Sequence, residues 1–168
     1  MDSRDSERRQ EGAGASVGQY LSFTLGGEDF GVDILKVQEI RGWETVRHLP
    51  DAPDFLKGVL DLRGTIVPII DMRTRFHFAR ADYTPTTVVI VLVVAQGENR
   101  QIVGAVVDGV SDVLEVTGQQ LKPAPNLGSK INRRYILGML SNHQRMVVLL
   151  DVDKLFSPEE LDLFEDLA

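Results

Sequence analysis

The chain has 168 residues, no cysteine, and 25 acidic against 18 basic side chains. That length suits one domain or two very small ones, and the missing cysteine excludes disulfides, thiolate metal sites and cysteine nucleophiles. The first eleven residues carry −1 and Ser157 to Ala168 carry −5 of the total −7, so the body is close to −1 and lacks the basic stripe that nucleic acid or an anionic membrane requires.

Residues 1–18, MDSRDSERRQEGAGASVG, contain no apolar core of a signal peptide and read as a disordered tail. YLSFTL (Tyr20 to Leu25) is the first strand, closed by a turn at Gly26 to Glu28. FGVDILKVQEI (Phe30 to Ile40) follows, then the single tryptophan, Trp43, expected either as a partly buried anchor or at an interface. The proline-marked loop HLPDAP (His48 to Pro53) leads into GVLDLRGTIVPIID (Gly58 to Asp71), where Arg63-Gly64 interrupts an otherwise almost wholly apolar segment and marks a turn. VVIVLVVA (Val88 to Ala95) is the longest apolar run, far short of the ~20 residues of a membrane helix. GENR (Gly97 to Arg100) is a second hairpin turn, QIVGAVVD (Gln101 to Asp108) a further strand, LKPAP (Leu121 to Pro125) a second proline loop and RMVVLLD (Arg145 to Asp151) the last strand. In SPEELDLFEDL, Ser157 is an N-cap, Pro158 takes the first helical position and Glu160 completes a capping box. Leu161, Phe164 and Ala168 are expected to face the body, with Leu163 and Leu167 alongside.

The chain repeats itself. Gly58 to Phe76 aligns without a gap to Gly138 to Phe156, and Phe30 to Ile40 aligns to Val103 to Val113. The second copy carries about seven extra residues near Asn126 to Arg134. The body is therefore expected to be all-β: two copies of a unit of about five short strands, each sheet closing into a barrel to remove its edges. Units this small are marginal alone, so the two barrels pack together. Their limits are expected near 19–82 and 83–156, with room for strand exchange at the boundary, followed by a helix over 157–168.

The repeat also acts as a control, because a feature found in both copies belongs to the fold. Asp71 and Asp151 match and so read as turn caps rather than an acid–base pair. His48, His77 and His143 have no ligand-like spacing, and neither a nucleophile elbow nor a phosphate-binding glycine motif is present. Arg63 and Gly64, in contrast, align with His143 and Gln144, so the fold does not demand them. Val37 and Glu39 align with Val110 and Asp112 and by themselves read as a core valine and a surface carboxylate.

DFGVDILKVQEIRG, LPDAPDFLKGVLDLRGTIVPIIDMR, TTVVIVLVV, GAVVDGVSDVLEV and KPAP together resemble the CheW family of bacterial chemotaxis coupling proteins, over roughly Gln19 to Phe156. The extent of the chain is similar to that of a stand-alone member. The resemblance implies two five-stranded SH3-like barrels and a non-enzymatic cytoplasmic adaptor, working by contact without cofactor, metal or turnover. It implies two partners: the cytoplasmic tip of a methyl-accepting chemoreceptor, which recruits the protein to the inner face of the membrane, and the CheW-like regulatory module of the histidine kinase CheA. Nucleic acid binding and direct membrane insertion are not implied. At the receptor contact it places Val37, Glu39, Gly58, Arg63 and Gly64. The family's asparagine in N-L-R-G is Asp61 here, a charge expected to pair with Arg63 and retune the contact. The alternatives are a paralogue serving another chemosensory array, an oligonucleotide-binding barrel, or a small hydrolase using Asp71 or Asp108.

Overall fold

The computed structural model describes residues 18–47, 49–79, 82–123 and 131–166. The expected tail (apart from Gly18), His48, residues 80–81, residues 124–130 with the first part of the insertion expected near Asn126 to Arg134, and the last two residues, Leu167 and Ala168, lie outside them. Ten strands are found: β1 Gly18–Leu25, β2 Glu28–Asp33, β3 Val37–Gly42, β4 Leu56–Leu62, β5 Thr65–Asp71, β6 Val88–Gln96, β7 Asn99–Val107, β8 Gly109–Val116, β9 Ile136–Asn142 and β10 Arg145–Leu150. Two short helices, α1 Met72–Arg75 and α2 Pro158–Asp166, follow β5 and β10. No helix among the described residues is long and apolar enough to cross a membrane.

The strands form two five-stranded sheets, in the orders β8-β1-β2-β10-β9 and β3-β6-β7-β5-β4. Sheet membership does not follow a boundary near residue 82. The β1–β2 hairpin joins β8, β9 and β10, while β6–β7 joins β3, β4 and β5, so whole hairpins are exchanged. Two crossovers carry the chain between sheets, the 3-10 turn Ile34–Lys36 and the single residue Asp108. Asp33 starts the first by accepting from the Leu35 N–H at 2.9 Å. An ion pair pins each crossover: Lys36 to Asp153 at 2.8 Å, and Asp108 to Arg73 at 3.4 Å. The repeat is visible here, because both anchors (Arg73 and Asp153) stand two residues after matched Asp caps. Asp71 accepts from the Arg73 N–H and Asp151 from the Asp153 N–H, so the matched carboxylates are caps.

Alternation along the strands explains the unbroken apolar runs. Val89 and Val91 face a core inside the second sheet with Leu62, Val67 and Ile69. Their neighbours Ile90 and Leu92 face the main core between the sheets, with Phe23, Phe30 and Leu150. A third core, around Tyr20, Leu140 and Leu149, fills the first sheet. A strand buried on both faces has no polar side to show.

Each row of strands is closed into a barrel by one backbone bridge. Arg47, beyond β3, exchanges hydrogen bonds with Val59 of β4, and Lys122, beyond β8, does so with Met139 of β9. Gly58 lies at the first closure. A Cβ there meets the Arg47 carbonyl group, with 2.7 Å to its carbon, and Val46 Cγ2 at 2.9 Å. The matched Gly138 is less crowded, its nearest neighbours Leu121 Cδ2 and the Lys122 oxygen standing at 3.2 Å.

The capping box of α2 is formed in both directions, Glu160 N–H to Ser157 Oγ at 3.0 Å and Ser157 N–H to Glu160 Oε1 at 2.8 Å. Leu161 and Phe164 are buried, Phe164 edge-on to Phe156, and Arg75 ties the helix down through Glu160. Leu163 does not face the body; it stays 39% exposed, because two residues at about 100° each carry it to the far side of Leu161.

Candidate functional site

The residues singled out in the sequence fall in three places. Strand β3 carries a bulge at Gln38: Val37 pairs with Leu92 and Glu39 with the adjacent Val91. Opposed residues share a face, and Leu92 and Val91 point to opposite sides of the sheet. The extra residue therefore sends Val37 against the main core and Glu39 to the other side. Without the bulge the two would share one face.

Arg63 and Gly64 form the two-residue turn between β4 and β5, where Leu62 opposes Thr65. Both have positive φ, 52° and 89°, as a type I′ turn requires. Gly64 adopts this freely, whereas Arg63 is strained by roughly 1 kcal/mol. The guanidinium reaches across to Glu39, Nη2 donating to Oε1 at 2.7 Å. The Arg63 side chain is 74% exposed and that of Glu39 only 25%. Edge strands β3 and β4 stand at opposite ends of their row, so this pair exists only because the barrel closes. Glu39, Arg63 and Gly64 thus come together; Val37 lies on the other face of β3, and Gly58 belongs to the closure itself.

Asp61 does not pair with Arg63. Its Oδ1 accepts the Gly64 N–H at 2.8 Å and locks the turn. A short polar side chain three residues before a turn amide is the signal that identifies this role in sequence.

A second polar cluster escapes the sequence because its members are far apart along the chain. Buried Arg73 is paired with buried Asp71 at 3.1 Å. Tyr83 lies between Arg73 on one face, 5.1 Å away, and Trp43 stacked at 4.0 Å on the other, and its hydroxyl donates to Asp71. Burial depresses the Arg73 pKa, but the bond to Asp71 and the charges of Asp71 and Asp108 outweigh it and raise the value. Burial and the Asp71 charge push the Tyr83 phenol up. Asp108 additionally accepts from the Gly26 N–H at 2.8 Å. These carboxylates are consumed in holding loops together. A cavity of about 690 Å³ lies elsewhere, lined by Leu49 to Asp54, Leu56, Lys57, Thr74 of α1 and His77 and Phe78 beyond it, so neither Asp71 nor Asp108 lines it as a hydrolase would need. Among the described residues no group of His, Asp and Glu is arranged to hold a metal ion.

The model of the CheW-like domain matches residues 19–160. The chain is 49% identical to a chemotaxis protein CheW of Klebsiella aerogenes, covering 93% of this chain and 92% of the relative. It is 38% identical to a probable chemotaxis protein CheW of Rhizobium etli, covering 84% and 89%. In three dimensions it is similar to the scaffolding protein TtCheW of Thermoanaerobacter tengcongensis, with a TM-score of 0.75, 25% identity and coverage of 84% and 88%. The curated relatives are chemotaxis proteins, and the solved one is a scaffolding protein. Two hairpin-exchanged five-stranded barrels and near full-length similarity lead to one conclusion: the chain belongs to the CheW family of chemotaxis proteins.

Proposed function

We propose that this protein couples the cytoplasmic tips of chemoreceptors to the CheW-like regulatory module of the kinase CheA, and that the face built by Glu39, Arg63 and Gly64 meets the receptor. The protein is then cytoplasmic and reaches the membrane through the receptor. The observation that carries this reading is the Arg63 side chain: an exposed guanidinium on a tight turn, held by Glu39, at a position the other copy fills with His143 in the same backbone conformation, so the arginine and not the turn is particular to this copy. A receptor tip is a helical hairpin, and an arginine at the rim of a docked helix is a favoured anchor through charge-assisted bonds. Val37 and Gly58 support this face from behind, one through the core and the other through barrel closure.

Co-sedimentation with receptor-containing membranes and the kinase tests the reading, comparing the native protein with Arg63→Glu after its melting temperature confirms folding. Reversal of an anchoring charge costs about 2 kcal/mol or more, roughly thirtyfold in affinity. The variant is expected to lose the receptor and keep the kinase. Equal sedimentation of the two proteins would place the contact elsewhere.

A further inference from the structure

One exposed carboxylate beside the turn is only half used. Asp61 gives Oδ1 to the Gly64 N–H at 2.8 Å. Its other oxygen has no partner among the described residues. The nearest charge along the chain, Arg63, is taken by Glu39 at 2.7 Å. Arg47 is bridged through its backbone to Val59, two residues back along β4, and makes no ion pair with Asp61. The turn therefore presents the exposed guanidinium of Arg63 and, two residues before it, a carboxylate oxygen of exposed Asp61 without a partner.

Resting on the receptor-facing reading above, we infer that Asp61 is a charge-selecting residue of that face. The matching surface is a helix with an acidic residue for Arg63 and a Lys or Arg for Asp61. Positions i and i+3 or i+4 set two such side chains about 5–6 Å apart on one face, so a single helix face can offer both charges to the turn. A helix with a second acid in place of the base is repelled, which is selection by an opposing charge.

Asp61→Asn isolates the charge, since asparagine keeps the oxygen that accepts the Gly64 N–H; Asp61→Ala removes both. Sedimentation with receptor membranes is run at low and high salt, with Arg63→Glu alongside. For Asp61→Asn, binding about two- to fivefold weaker than native is expected in dilute salt, closing to equality near 1 M, where the Debye length is about 3 Å. Asp61→Ala is expected to bind no better than Asp61→Asn and to melt lower. If Asp61→Asn binds as well as native in dilute salt, or better, charge selection is overturned. Loss of binding by Arg63→Glu in that same series leaves the receptor face standing. A native protein that does not sediment at all overturns both.

Discussion

Gly58 offers the sharpest test of how the barrel closes. Alanine at this position drives a methyl group into the Arg47 carbonyl and against Val46 Cγ2 at 2.9 Å, and the Gly58 backbone stands at φ +154°. The obstacle is backbone on a bridging strand, not the free end of a side chain. Overpacking of this kind costs about 1–3 kcal/mol, and an unfavourable φ adds about 1 more. At about 2–4 °C per kcal/mol for a chain of this size, Gly58→Ala should lower the melting temperature by about 5–15 °C. Gly138→Ala, in the matched site, meets a leucine methyl and a carbonyl at 3.2 Å, and should cost about 1 kcal/mol. Calorimetry gives the two values. Trp43 emission gives a local readout, since Trp43 packs on the core inside the same barrel, and it should shift for Gly58→Ala alone. A Gly58→Ala protein that melts within about 2 °C of native, or an equal drop for both variants, would show that closure does not depend on the missing side chain.

Three further outcomes follow from the geometry. His143 and Gln144 form the other type I′ turn with φ of 51° and 68°, and no use is assigned to them; His143→Asn with Gln144→Gly should stabilise the fold by about 1 kcal/mol in thermal melts. Tyr135 and Tyr83 should ionise in that order in an ultraviolet titration with phenylalanine controls. Burial alone raises the Tyr135 phenol, but bonds from Arg134 and Arg75 bring it below its ordinary value, while Tyr83 stands above its own. The raised Tyr83 contributes stability that is fully present below its unfolded pKa of about 10 and is lost as pH rises towards the folded value. The lowered Tyr135 acts in the opposite sense: its phenolate favours the folded state once pH passes its folded pKa. Tyr83→Phe should therefore flatten the alkaline loss of stability, and Tyr135→Phe should steepen it.

What the sequence made legible was local or repeated. Turn glycines, Val-rich strands and the Ser157–Glu160 box are read from a few neighbouring residues, and the gapless internal match announces two like units. Arg63 stood out because the second copy lacks it. Hairpin exchange was not legible in extent, since both exchanged and unexchanged arrangements bury the same alternating positions; only the crossovers, Ile34–Lys36 and Asp108, decide it. The bulge at Gln38 was equally hidden, because V-Q-E alternates as any regular strand does. Asp61 was assigned to the wrong partner: the nearest opposite charge in sequence was Arg63, but the turn brings the Gly64 amide closer and sends the guanidinium to Glu39.

Exchange of hairpins also sets an order on synthesis. Sheet β3-β6-β7-β5-β4 is complete once Val107 has left the ribosome, because its strands are contiguous in the chain. The β1–β2 hairpin, made first, pairs in parallel with β10, where Val32 meets Leu150. At about 5–20 residues per second, that hairpin waits roughly 6–23 s for its partner with a row of backbone donors and acceptors unpaired. The half of the molecule that carries Glu39 and Arg63 is thus ready early, and the oldest segment of the chain is the last to be enclosed.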